Sequence, residues 1–358
     1  MRTPIYFPTL NALRFYLALC VVLVHSPGVF SDFAPFALSS WDAVTGFFVL
    51  SGFLITYLLL EEKRQTGTID VRRFYGRRAA RILPLYYLVL LAGYVILPAL
   101  FGGAYWGPSS HPLILGPALA LLPQLPTAYT NFLAYGNMGP IWSIGVEEIF
   151  YLLWPLVVLY ARSLPRLCIG IIVVRVAAEV VLAQTGASSG LILFLHLMRV
   201  ECMAIGALFA WLVIHRHRLL FYVYKRTIQI IALELTVLYI LINPPDTILT
   251  VRFLTFSVIA GIVIVNVATN PRSLLRIEGL GWRMLGNASY GIYMWHTTVI
   301  FIFGRFHVPD GFYQQFSIFA VATGAGLLSY YGFERHFLRW RHPESARPAV
   351  ALAAAAAD

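Results

Sequence analysis

Residues 9–27 read TLNALRFYLALCVVLVHSP, a run in which Arg14 and His25 are the only basic side chains and no acidic one occurs. As a helix rising 1.5 Å per residue, such a run crosses roughly 30 Å of hydrocarbon. The pattern recurs near 43–61, 83–101, 140–161, 167–183, 191–214, 228–243, 250–268, 288–304 and 316–333. It predicts an all-α, polytopic membrane protein of about ten transmembrane helices. The composition agrees: 59% of the 358 residues are hydrophobic and only 12% charged, with a mean hydropathy of +0.75. A soluble core cannot use that balance, whereas a bilayer can. The apolar stretch at 113–125 is broken by Pro112, Pro117, Pro123 and Pro126, so it reads as a re-entrant or surface segment.

The net charge of +10 follows membrane orientation. Lys and Arg concentrate at 62–82, 162–166, 215–227 and 269–287 and in the tail, while 28–42, 102–139 and 184–190 contain none. Basic loops stay in the cytoplasm, so both termini are expected inside. Charge spread over alternate loops is not the footprint of a nucleic-acid binder, which gathers it on one face. Cys20, Cys168 and Cys202 lie in apolar segments without ligand-like spacing, so neither a disulfide framework nor a metal site is expected. No second soluble domain is evident: 1–342 reads as one transmembrane domain and the Ala- and Pro-rich 343–358 as a disordered tail.

Charges at membrane depth are costly and turn toward protein or water, which makes each a functional candidate. Arg14 and His25 are eleven residues apart, about three turns and 16 Å of rise. They share one face at two depths, Arg14 toward the cytoplasm and His25 toward the outside. The alternative for this pair is that Arg14 snorkels to headgroups and His25 lies in the outer interface. In the fourth span Ser143, Glu147 and Tyr151 form a stripe at i, i+4 and i+8. That span enters from outside, which places Glu147 in the leaflet of His25. A carboxylate beside imidazole fixes its tautomer and raises its basicity, so a His25–Glu147 pair is expected; a packing ion pair would look the same.

At the entry of the third span, Arg73, Arg77 and Arg81 follow i, i+4 and i+8, with Arg72 and Arg78 beside them. A guanidinium row suits phosphates, although a juxtamembrane cluster also serves orientation and anionic lipid. The sixth span carries His196, Arg199 and Glu201; the last two do not face each other on a helix, so each needs a partner elsewhere. The ninth span carries Ser289, Tyr290, Tyr293 and His296, and Glu334 closes the tenth beside Arg335.

Taken in order, these motifs resemble the acyltransferase-3 family of integral membrane glycan O-acyltransferases over nearly the whole chain. Arg14 and His25 match its basic residue, ten residues, then His. Phe47-Phe48-Val49-Leu50-Ser51-Gly52-Phe53-Leu54-Ile55 matches its second-span signature, and Arg78-Ala79-Ala80-Arg81-Ile82-Leu83-Pro84 its Arg-x-x-Arg motif. Trp142-Ser143 through Glu147-Glu148-Ile149-Phe150-Tyr151, Leu285-Gly286-Asn287-Ala288-Ser289-Tyr290-Gly291-Ile292-Tyr293 through His296, and Glu334-Arg335 resemble the remaining motifs. Three positions depart. Thr45 stands where the family usually has an acidic residue, with Asp42 a turn earlier. Glu201 replaces the Asp that commonly follows the sixth-span Arg, and His336 replaces the usual Pro. Some members carry an esterase-like domain after the spans, and none is expected here.

The resemblance implies transfer of an acyl group, most often acetyl, from cytoplasmic acyl-CoA to a hydroxyl of a carbohydrate or glycosylated acceptor, in the cytoplasmic membrane. Arg78 and Arg81, with Arg77, Arg73 and Arg14, would hold the phosphates of CoA. His25, oriented by Glu147, would deprotonate the acceptor or carry the acyl group briefly. Ser143, Arg199, Glu201, Ser289, Tyr290, Tyr293 and His296 would line the acceptor path, with Arg199, Ser289 and Tyr293 candidates for the oxyanion. The competing class is a transporter or flippase of a polar or glycan substrate, which also carries buried Arg, Glu and His along a bundle.

Overall fold

Local signals set the helix ends. Pro8, whose fixed φ and missing N–H suit a first turn, opens α1 (Pro8–His25). Ser39 accepts the Asp42 N–H to cap α2 (Ser40–Thr66), which stops at Gly67 in the left-handed region (φ 78°). Asp70 caps α3 (Val71–Leu91) through the Arg73 N–H, and the helix runs on through a wide turn at Ala92–Ile96 into Leu97–Phe101. The computed structural model describes residues 7–26, 38–102, 112–130, 138–242, 249–306 and 311–341. The tail expected to be disordered, 343–358, lies outside the described residues.

The proline-rich stretch forms only the short α4 (Pro112–Leu119), tied to α3 where Tyr86 and Tyr87 donate to the Ala118 and Leu119 carbonyls (2.8 and 3.1 Å). Then follow α5 (Ile141–Tyr160), α6 (Leu164–Gln184), α7 (Ser189–Met198) and α8 (Val200–Ile214). After these come α9 (Arg226–Ile242), α10 (Leu249–Thr269), α11 (Leu280–Arg305) and α12 (Phe312–Ser329), the last continuing through Tyr330–Glu334 into Arg335–Arg341. A helix thus stands on every segment expected to span, and no strand occurs among the described residues. Among the described residues, six stretches are long and apolar enough to cross a membrane: Ser40–Thr66, Val71–Phe101, Ile141–Tyr160, Ser189–Ile214, Thr250–Thr269 and Tyr313–Leu338.

One expected span is not continuous. Arg199 adopts φ 37°, ψ 34° between α7 and α8, a left-handed conformation that costs a non-glycine residue about 1–2 kcal/mol. The break lets its side chain reach α2, as described below.

The bundle has a mainly apolar interior that also takes in its charges, and its outer surface is apolar. Leu152 and Leu153 are 59% and 53% exposed, while Arg199, Glu201 and His296 are at 0%. With lipid outside, burial of apolar surface cannot drive helix association, so close packing through small residues takes over. Gly52 of α2 lies against the Met203 carbonyl of α8, and Gly206 of α8 against the Val49 carbonyl of α2. Gly286 of α11 packs on Asn11 of α1, and Gly291 faces Gly326 of α12. Lys63 donates to the Val158 and Leu159 carbonyls (2.9 Å each), closing the C-terminal end of α5.

A side chain at Gly206 would overlap α2 backbone, whereas Gly170 on α6 has nothing within 4 Å of an added Cβ. Overpacking of a tight crossing costs about 1–3 kcal/mol or more. Gly206→Val is therefore expected to lower the melting temperature in detergent and the yield of monodisperse protein on size exclusion, while Gly170→Ala leaves both unchanged.

Candidate active site

Five helices meet around an inner cavity of about 100 Å³. Helix α1 supplies Arg14, α3 Arg78 and Arg81, α2 Ser51, α5 Ser143, Glu147 and Tyr151, and α11 Ser289, Tyr290 and Tyr293. Arg78 and Arg81 share a face at i, i+3, and Arg14 lies within electrostatic reach of both. None of the three guanidinium groups makes an ion pair among the described residues. Arg78 rests against the rings of Phe74 and Tyr151 (5.8 and 5.6 Å) and leaves its Nε without a partner. Among the described residues the one carboxylate lining the cavity, Glu147, accepts from Ser51 (2.8 Å) and Tyr151 (2.9 Å). Three cations against one lining carboxylate, with Glu148 and Glu334 in electrostatic reach of Arg78 and Arg81 but not ion-paired to them, suit a negatively charged ligand.

The expected row of Arg73, Arg77 and Arg81 does not face this cavity as a unit. Arg73 is exposed on the first turn, and Arg77, turned about 100° from Arg78, points toward Glu62 (4.0 Å). The pair that the helix presents inward is Arg78 and Arg81.

A second cavity of about 250 Å³ lies on the His25 side, lined by Val21, His25, Trp41, Trp142, Tyr293 and His296 among others. Val44 and Tyr293 line both cavities, so the wall between them is thin. Its polar element is a hydrogen bond of 2.8 Å between the hydroxyls of Ser143 and Tyr293. Ser143 also donates to the Pro140 carbonyl (3.0 Å), which leaves Tyr293 as the donor across the wall. His25 is exposed on its cavity and has His296 for a neighbour, the rings 5.2 Å apart and inclined by 28°.

The expected His25–Glu147 pair is not formed. Glu147 is one turn, about 6 Å, below Ser143 on α5, which puts it on the other side of the wall with its oxygens on Ser51 and Tyr151.

The family model for the acyltransferase domain matches residues 7–355. The chain belongs to that acyltransferase family. It is 25% identical over 327 residues to the peptidoglycan O-acetyltransferase OatA of Listeria monocytogenes, covering 82% of this chain and 49% of that protein. It is 25% identical over 341 residues to the O-acetyltransferase OatA of Staphylococcus aureus, covering 86% and 53%. To the putative peptidoglycan O-acetyltransferase YrhL of Bacillus subtilis it is 30% identical over 323 residues, covering 82% and 49%. The chain thus spans about half the length of these curated relatives. No solved structure matches it.

The chain's other expected site residues divide between the cavities and their supports. Ser289 lines the inner cavity and donates to the Gly286 carbonyl (2.8 Å), and Tyr290 donates to the Ile82 carbonyl (3.1 Å). Arg199 lines neither cavity. Its guanidinium donates to the carbonyls of His196 (3.0 Å) and Trp41 (2.8 Å) and to Thr45 Oγ1 (2.9 Å), and stacks against Phe253 and Trp41 (3.8 and 4.7 Å). It holds the wall behind the outer cavity, since Trp41 and Trp142 line that cavity on their other side. Glu201 pairs with Arg175 (3.4 Å), Arg175 with Glu179 (2.9 Å), and Glu179 with His196 (2.9 Å). This chain of ionisable side chains joins α6, α7 and α8 away from both cavities. Asp42 is bound by Arg252 through both oxygens (3.1 and 2.6 Å) and by Ser39 (2.6 Å). It serves α10, and Thr45 receives Arg199 in place of the acidic residue usual in the family.

Of these, Ser51, Arg175, Glu179 and the pairing role of Arg252 were not picked out from the sequence. Arg175 and Glu179 did carry a signal, being opposite charges at i, i+4 within an apolar run.

Removing one partner of a buried ion pair leaves an uncompensated charge, at a cost of about 3–5 kcal/mol. Arg252→Ala is expected to lower the melting temperature sharply, and the double variant Asp42→Ala with Arg252→Ala to recover much of that loss. Equal melting temperatures for the single and double variants would contradict the pairing.

Proposed function

We propose that this chain is a multi-pass O-acyltransferase of the bacterial cytoplasmic membrane, with ten spans and both termini inside. In this reading it moves an acyl group, acetyl in the first instance, from cytoplasmic acyl-CoA to a hydroxyl of a glycan on the outer side. The orientation is supported by the cytoplasmic bias of Lys and Arg. A glycan acceptor is supported by the relatives named for peptidoglycan O-acetylation, which makes peptidoglycan the first acceptor to test.

The observation that carries the reading is the pairing of two unlike cavities across one thin wall: unpaired guanidinium groups on one side and an exposed histidine on the other. Arg78, Arg81 and Arg14 bind the phosphates of the donor. The inner cavity is smaller than a pocket that takes a whole drug-sized molecule, so the donor's pyrophosphate rests on the three arginines that line it, the acyl arm passes on toward the wall, and the adenosine stays at the cytoplasmic mouth. His25 takes the proton of the acceptor hydroxyl. The oxygen then bonds to the thioester carbonyl carbon, the carbon–sulfur bond breaks, and the CoA thiolate leaves and is protonated. The Tyr293 hydroxyl, at the wall where the two substrates meet, turns its one hydrogen from Ser143 to the developing oxyanion.

Purified protein in nanodiscs, incubated with radiolabelled acetyl-CoA and glycan fragments, tests this. Labelled glycan is the expected product, and neither label transfer nor thioester cleavage would point to transport instead. His25→Ala is expected to abolish product with an unchanged size-exclusion profile; full activity in that variant would overturn the assignment. Losing charge-assisted hydrogen bonds to phosphate costs on the order of tenfold to a hundredfold in affinity, so Arg78→Gln with Arg81→Gln is expected to raise KM for acetyl-CoA by about that factor.

A further inference from the structure

The outer cavity holds a second imidazole for which the reaction as written has no use. His296 is fully buried on α11, with its Nδ1 2.6 Å from the Tyr293 carbonyl and its Nε2 3.3 Å from His25 Nδ1. A carbonyl oxygen can only accept, so Nδ1 of His296 carries the hydrogen. A neutral imidazole has one N–H, and Nε2 of His296 is therefore an acceptor. It faces His25 Nδ1, which also lies 2.9 Å from the Val21 carbonyl, a second group that can only accept. Both neighbours require the hydrogen of His25 to be on Nδ1. The other tautomer would set a lone pair against two acceptors at once.

We propose that His296 is the positioning residue of the reaction, holding His25 in the tautomer whose Nε2 lone pair is free to take the acceptor's proton. The inference rests on the reading of His25 as the general base. Val21 is on the helix of His25, four residues back, and supplies an acceptor that any helix supplies; it does not fix the ring relative to the rest of the site. His296 comes from α11 and does. When His25 becomes an imidazolium, its Nδ1–H bond to His296 strengthens, as the bond from a catalytic imidazole to a buried carboxylate does in hydrolases. Here the orienting group is neutral, and the expected Glu147 is on the far side of the wall. The arrangement also ties the base to the wall itself. The carbonyl of Tyr293 fixes His296, and the hydroxyl of the same residue bridges to Ser143, so one turn of α11 sets the spacing between donor and acceptor sides.

Three variants test the proposal with acetyl-CoA and glycan fragments. His296→Leu fills the space without an acceptor, His296→Gln keeps an oxygen near the place of Nε2, and His296→Ala opens room for added imidazole. Loss of a hydrogen bond that strengthens with charge corresponds to a rate loss on the order of tenfold to a hundredfold. The Leu and Ala variants are expected to lose that factor in kcat with KM for acetyl-CoA unchanged, the Gln variant to regain much of it, and imidazole to restore part of the activity of the Ala variant. Wild-type turnover in His296→Leu, or equal losses in the Leu and Gln variants with no effect of imidazole, would overturn the proposal. Either result beside an inactive His25→Ala would leave the function standing and remove only the role of His296. Activity in His25→Ala would instead remove the function on which that role rests.

Discussion

Hydrocarbon cannot solvate a charge, and that cost organises this protein. Every ionisable side chain placed within the apolar length of the chain must find a partner, a protein interior or an aqueous cavity. The solutions differ from place to place. Asp42 and Arg252 neutralise each other across α2 and α10. Arg175 lies between Glu179 and Glu201, and Glu179 also meets His196, in one polar chain between α6, α7 and α8. Arg199 breaks its own helix to lie among aromatic faces and backbone carbonyls. Once these are set aside, Arg14, Arg78 and Arg81 are left facing a cavity with one carboxylate between them. Structural charges here have partners, and the cations without one mark the site.

The helices, and the sides on which their polar residues lie, were legible in the sequence. The 3.6-residue period states which side chains share a face, so Arg14 and His25 at two depths could be read directly; the same period picked Arg73, Arg77 and Arg81, and Arg78 entered with Arg81 only through the family resemblance. The neighbour of a face could not. Glu147 shares a leaflet with His25 by simple counting, yet one turn of α5 carries it past the wall and into the hands of Ser51 and Tyr151. The same gap hid Ser51, whose hydroxyl acts only through a helix ninety-six residues away. It also hid the break at Arg199, which has neither Gly nor Pro beside it in the sequence. That break is a tertiary decision, made by the aromatic rings of other helices.

Close helix crossings explain how such a site keeps its geometry without a hydrophobic driving force. Gly52 and Gly206 bring the backbones of α2 and α8 into contact, and α8 carries Arg199 at its start. The position of Trp41 and Thr45, and with them the floor of the outer cavity, is thereby fixed by glycines that line no cavity themselves.

The wall between the cavities has an electrical side. A membrane potential drops across whatever layer of low polarisability separates two conducting regions, and polar cavities entering from opposite faces shorten that layer. In this bundle the layer narrows to Val44, Tyr293 and the hydroxyl pair that joins α5 to α11. On the proposed reading the field would be steeper there than in the surrounding lipid, and it would act on the groups that move a proton and an acyl carbon past each other.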